Sequence, residues 1–287
     1  MSGFQNVSIG AYAGAPANGY NSVAIGYTTL EDDTTGVQNV AVGAEDMWEN
    51  RTGSSNSALG NFALYGLTTG SDNVAVGANA LDNNGTASNN TAVGYSALNA
   101  NTIGSANTAL GNSALQDNTT GSNNLAAGNG VLEFATTSSD NTAVGPSAMS
   151  GVNGSSATNW GINNTALGFS ALHNYTNASN NTALGYDAML HATTSLNSLA
   201  IGFEAAQGNS SNDSYTGLVA LGSQSANNIG TNGSYDTFLG YQSGFDVTTG
   251  ADDVVIGPEI NTGGSHLTAG SNDILIGTYN ANTPATT

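Results

Sequence analysis

Apolar and polar positions alternate along this chain with one fixed short period. The pentapeptide Asn-(Thr/Val)-Ala-(aliphatic)-Gly returns throughout, as in Asn39-Val40-Ala41-Val42-Gly43, Asn73-Val74-Ala75-Val76-Gly77, Asn107-Thr108-Ala109-Leu110-Gly111 and Asn181-Thr182-Ala183-Leu184-Gly185. Its glycines stand at 10, 26, 43, 60, 77, 94, 111, 128, 145, 168, 185, 202, 222, 240, 257 and 277. Ten of the fifteen spacings are 17 residues and the others are 16, 18, 20, 20 and 23, so extra residues enter as whole loops in an otherwise constant coil.

Within each motif the residue before Gly is Val, Ile or Leu in fifteen of sixteen copies, Ala127 being the exception. The position two residues earlier holds Val, Thr, Leu, Ile or Ser57, and alternation in a strand puts these two columns on one face. The opposite face carries Ala in twelve copies and changes to Phe238, Val255 and Leu275 near the C-terminus. Both faces are therefore mainly apolar, as expected of a parallel strand covered on two sides. We expect the aliphatic pair to face the interior, with Leu110 a core residue, and the Ala column to face a second chain. Leu or Met four residues after the Gly (Leu64, Leu81, Leu98, Leu115, Leu132, Met149, Leu172, Met189) is expected to close the core from the other side.

Gly and Asn at the corners suit turns that need positive φ, and Gly, Asn and Thr recur too often for a helix. The opening Asn of successive motifs is expected to form a hydrogen-bonded ladder between coils. The fold class that follows is all-β, a parallel β-solenoid (β-roll) of about sixteen 17-residue coils, roughly 75 Å long at about 4.8 Å per coil. One side chain's thickness is a thin core, and repeat arrays need exposed apolar faces covered, so a parallel homotrimer with the Ala faces near its axis is expected. The organisation is an N-terminal lead over 1–5, one repeat domain over 6–280 with a loop insertion near 150–163, and a tail over 281–287.

Composition narrows the function. Charged residues make up 7% of the chain, with 20 acidic side chains against the single basic Arg51, a net charge of −19. Phosphate backbones and anionic membranes require Lys and Arg, so nucleic acid is excluded as a partner and no membrane insertion is expected. The acidity suits colloidal solubility, or attraction of divalent cations. There is no cysteine for a disulfide or thiolate site, no run of 18 apolar residues, and no basic and apolar leader around Met1-Ser2-Gly3-Phe4.

The residues Asn-Ser-Val-Ala-Ile-Gly at 21–26 and Ser-Leu-Ala-Ile-Gly at 198–202 resemble the repeat of trimeric autotransporter adhesin heads. That resemblance implies left-handed parallel β-rolls assembled as trimers. The longer unit Asn107 to Asn123, with its Asn-Thr-Thr-Gly turn, is similar to repeats of bacterial and phage tail-fibre-like proteins. In that family an endosialidase-type intramolecular chaperone often follows the array, and Gly270-Ser271-Asn272-Asp273-Ile274-Leu275-Ile276-Gly277 is similar to the segment before it. The resemblance spans residues 6–280, although the 17-residue period is longer than the adhesin head's, and it implies an extracellular fibre, on a virion or a cell surface.

Converging titratable groups for catalysis are not evident, and we expect no enzyme. His173 and His191 sit five and six residues after their motif Gly and are expected to decorate a solvated edge; His266 is the third histidine. Carboxylates cluster at Glu31-Asp32-Asp33, Glu45-Asp46 and Asp252-Asp253, on turns or corners, so a polysaccharide depolymerase with paired acids is a weak alternative. Asp236, Asp253 and Asp273 replace the motif Asn in three late coils. No cofactor is expected; stacked carboxylates repel, which leaves Ca2+ possible at these three positions, the alternative being turn-capping substitutions of Asp for Asn. The sequons at Asn50, Asn118, Asn163 and Asn209 arise from the repeat and carry no inference of glycosylation. The 23-residue spacing inserts six residues within Ser150 to Asn163 and carries Trp160 beside Asn159. An indole with amides suits stacking on the sugar rings of a cell-surface glycan or receptor; packing on the adjoining coil is the other role open to Trp160, and Tyr175 in the next coil could support either arrangement. Ice binding is a further alternative, weakened because the strand threonines are expected to point inward, leaving only turn threonines such as Thr35, Thr52, Thr69, Thr120 and Thr137 exposed.

Overall fold

The computed structural model describes residues 5–14, 19–151, 161–209, 213–231, 233–260 and 271–278. The chain divides into two compact units, Met1–Pro146 with Thr158–Trp160, and Ser147–Ala157 with Gly161–Thr287. The fold is all-β, a β-solenoid of parallel strands without a helix among the described residues. The first unit holds β1 (Val7–Ile9), β2 (Val23–Tyr27), β3 (Val40–Ala44), β4 (Ser57–Asn61), β5 (Val74–Val76), β6 (Thr91–Val93), β7 (Thr108–Leu110), β8 (Leu125–Ala127) and β9 (Thr142–Val144). The second holds β10 (Thr165–Leu167), β11 (Thr182–Leu184), β12 (Leu199–Ile201), β13 (Val219–Leu221), β14 (Thr237–Leu239), β15 (Val254–Ile256) and β16 (Ile274–Ile276).

Within each unit every strand pairs in parallel with the next, and the motif columns stay in register: Thr108 lies beside Thr91, Ala109 beside Ala92 and Leu110 beside Val93. The same holds where the spacing is 20, with Leu199, Ala200 and Ile201 beside Val219, Ala220 and Leu221. Additional residues thus leave between strands and do not shift the ladder, because a slip of one residue would turn every side chain to the wrong face.

Burial reverses the expected facing of the strand. Ala109, Ala126 and Ala183 are fully buried, as is the rest of the Ala column apart from 2% exposure at Ala58. The aliphatic neighbours point out, with Leu59 51%, Leu110 41%, Leu167 46% and Leu239 44% exposed. The reason is volume. Leu98, Leu115 and Leu132, four residues after the Gly, are buried as expected, and a coil of 17 residues leaves room opposite them only for a methyl group. Leu110 is therefore a surface residue, and the expectation that it fills the core is corrected.

Buried asparagines support the corners. The Asn107 amide donates to Asn90 Oδ1 at 2.9 Å, and the Asn124 amide to Asn107 Oδ1 at 3.0 Å. Each side-chain Nδ2 also donates to the carbonyl fourteen residues on, from Asn107 to Gly121 at 2.8 Å and from Asn181 to Ser195 at 2.8 Å. Direct side-chain links, such as Asn73 Nδ2 to Asn56 Oδ1 at 3.0 Å, complete the expected ladder. A second buried column joins it, with Asn118 Nδ2 donating to Asn101 Oδ1 at 2.9 Å. Apart from Asn118 Oδ1, which meets no partner, these bonds satisfy corner groups that burial would otherwise leave costly.

Candidate functional surface

The outward face of the motif strands is built from the aliphatic residue before each Gly and the residue two positions earlier. Strand periodicity places both columns on the side away from the core, and parallel register stacks them coil upon coil. In the first unit it presents Val40, Val74, Val93, Leu110 and Leu125, each more than a third exposed. In the second unit Leu167, Leu184 and Ile201 are joined by the residues just beyond the Gly. There Phe169, Tyr186 and Phe203 form a stacked column, with centroids 5.2 and 5.4 Å apart and planes inclined by 10° and 14°. All three rings are 46–47% exposed. Sequence reasoning passed over this column; its signal was an aromatic residue after the motif Gly in three successive coils.

The ligand contact expected near the insertion divides. Trp160 and Asn159 lie outside the described residues. Tyr175 is fully buried and offers no face to a ligand, which corrects its place among the ligand-contact candidates and leaves the packing role of the two open to it. Its ring packs where a side chain at Gly161 would otherwise stand, and the absence of a Cβ at Gly161 gives it room.

The acidic clusters do not converge as paired acids. In the first, Asp33 turns inward, where Oδ1 accepts the Gly36 amide at 2.7 Å, while Glu31 and Asp32 stay on the surface. Asp46 is also buried and accepts the amides of Ala63 at 2.9 Å and Gly60 at 3.0 Å. Burial pushes its carboxyl up to about 6, against the lowering effect of those two amides. Asp33 caps its own turn, whereas Asp46 ties its coil to the next through amides 14 and 17 residues on. His173 Nδ1 donates to Asn174 Oδ1 at 2.8 Å, and Asn174 Nδ2 donates to His191 Nδ1 at 2.9 Å. The two half-buried histidines are thus bridged by an amide along one edge; His266 lies outside the described residues.

Asp236, Asp253 and Asp273 are brought together in the column that asparagine occupies elsewhere. The Asp253 amide donates to Asp236 Oδ1 at 2.9 Å, and the Asp273 amide donates to Asp253 Oδ1 at 2.9 Å. Asp236 and Asp253 are fully buried, whereas Asp273 is half-buried. The second oxygens, Oδ2 of Asp236 and of Asp253, meet no hydrogen-bonding partner. Among the described residues no set of three His, Cys, Asp or Glu side chains gathers into a metal-holding group. No family model and no curated protein matches this chain.

Proposed function

We propose that this chain is a segment of a non-enzymatic extracellular fibre, of a virion or a cell surface, in which three copies associate side by side through the outward aliphatic face of the motif strands. The observation that carries this reading is the recurrence of exposed Val, Leu and Ile on that face within each unit, among them Val74, Val93 and Leu110 in the first and Leu167, Leu184 and Ile201 in the second. Water-exposed apolar surface that is contiguous rather than scattered marks an association site. The regular strands keep the face even, so an identical chain in parallel register presents a matching set of columns. Three copies rather than two follow from the resemblance to adhesin heads and tail fibres. The Ala column, previously the expected contact, lies inside the coil and is unavailable. With −19 charges on each chain, the outer surface repels other fibres and keeps the assembly dispersed.

Light scattering on the purified chain is expected to give three chain masses. Leu59→Glu together with Leu110→Glu is expected to yield monomers that keep the β spectrum, because both side chains leave the coil and charge is costly only once the face is covered. A monomeric wild type, or a trimer indifferent to both charges, would overturn the reading.

One observation favours a second function. Thr142 and Thr165 are exposed, and Thr91, Thr108 and Thr182 half-exposed, so the strand threonines point outward, contrary to the inward direction expected. Regularly spaced outward hydroxyls beside methyl groups suit ice binding. Thermal hysteresis in the purified protein would support it, and its absence at high concentration would remove it.

A further inference from the structure

The Asp236 and Asp253 carboxyls occupy a frame made for an amide. In the asparagine column three contacts recur: Oδ1 accepts the next coil's main-chain amide, Nδ2 donates to the carbonyl fourteen residues on, and Nδ2 also approaches Oδ1 of the preceding coil. Asn181 makes all three, to the Ser198 amide at 3.0 Å, the Ser195 carbonyl at 2.8 Å and Asn164 Oδ1 at 3.1 Å. Asp236 and Asp253 retain the first contact with unchanged length. Strands β14, β15 and β16 also keep their pairing in register. The carboxyls therefore sit as the amides do, and Oδ2 stands at the place of Nδ2. For Asp236 the carbonyl fourteen residues on belongs to Gly250. For Asp253 the corresponding oxygen of the preceding coil is Asp236 Oδ1.

An ionised carboxylate has no hydrogen for either place and would set oxygen against oxygen in a site closed to water. A protonated carboxyl has the shape of the amide and one hydrogen where the amide has its donor. We infer that Asp236 and Asp253 complete the asparagine column as neutral acids, each with a proton on Oδ2 that replaces an Nδ2 hydrogen, so that the coils of β14 to β16 are clamped by protons and loosen when these acids ionise.

The surroundings agree. Burial foremost, with the charges of Asp253 and Asp252 in addition, pushes Asp236 up to about 7 against the lowering effect of the Asp253 amide. Burial likewise raises Asp253, with Asp273 and Asp252 raising it further and the Asp273 amide lowering it. The groups facing the pair are thus the carboxyls of Asp252 and Asp273; the chain's one Arg is Arg51, in the other unit, and it has no Lys. The sign follows. A folded acid that titrates above its ordinary value holds its proton where the unfolded one has lost it, so stability is present at low pH and is lost as pH rises from the ordinary carboxylate range through about 7. An asparagine at the column position, as at Asn181, contributes no such dependence, because its amide does not titrate.

Hydrogen exchange on the intact chain tests this, each rate being corrected for the intrinsic effect of pH. Protection of the Asp253 amide is expected to fall by about tenfold or more between about pH 5 and about pH 8.5. Asp236→Asn, which restores the column's usual residue, is expected to abolish that fall. Asn181→Asp is expected to bring the same pH dependence to the Ser198 amide, whose acceptor in the natural column is an amide that does not titrate. Wild-type protection independent of pH, or a fall that persists in Asp236→Asn, would overturn the inference. So would loss of protection on adding EDTA at about pH 5, because a cation would then hold the oxygens that we assign to protons.

Discussion

Gly111→Ala is expected to unfold the coil that it belongs to. Gly111 has φ of 137°, a conformation that L side chains rarely adopt. A Cβ there would overlap the carbonyl of Gly128, the equivalent residue of the next coil. The neighbour cannot retreat, because the Gly128 amide is tied to the Leu110 carbonyl at 2.8 Å and the strands on either side are in register. Strain of about 1–3 kcal/mol from the backbone alone is joined by this overlap. The total is expected to exceed about 4 kcal/mol, the range in which single changes are exceptional. Gly130→Ala is the control. Gly130 has φ of 60°, as Ser113 does with 53° at the same place one coil earlier, and its Cβ would meet only the mobile end of Glu133 at 3.1 Å. That change is expected to cost about 1–2 kcal/mol. Thermal unfolding of the two variants decides the matter, and equal melting temperatures would refute the stacking account.

Phe238→Ala is expected to cost about 3–5 kcal/mol, and Gly244→Leu is expected to recover much of it. Phe238 takes the inward place that Ala holds in twelve coils, and it is fully buried. Gly244 takes the place of the core leucine, four residues after its motif Gly, and a Cβ there would run into the Phe238 ring. Large and small have changed sides while the filled volume is kept. The backbone permits the return exchange, since φ is 65° at Gly244 and 53° at Leu115. Gly244→Leu alone overfills the coil and should destabilise it; the pair together restores the common Ala and Leu arrangement. A double-mutant cycle by chemical denaturation is expected to show coupling larger than about 1 kcal/mol, and additive effects would mean that the two residues do not share one space.

Both expectations rest on features read in different ways. The 17-residue period, the positions of all sixteen strands, the buried leucine column and the asparagine ladder were legible in the sequence, because each is a repeated local choice whose period is visible in one dimension. The direction in which the strand faces was not. Ala on one side and Val, Leu or Ile on the other are both apolar, so the pattern marks a strand with two apolar faces and leaves the inner one undetermined. The buried column of Leu81, Leu98 and Leu115 was equally compatible with either choice until the width of the coil was known.

The candidate surface divides in the same way. The replacement of motif Asn by Asp at 236 and 253 is plain in the sequence, yet the unpartnered second oxygens exist only because neighbouring coils close over them. Tyr175 was open in the sequence to supporting a ligand contact or to packing, and its burial beside the room left at Gly161 decides for packing. The sequence by itself determined a repeating parallel β-coil with polar corners and very little basic charge. Tertiary structure decided that alanine lines the interior and the larger aliphatics face outward, because a 17-residue coil already occupied by leucine has space left for only a methyl group.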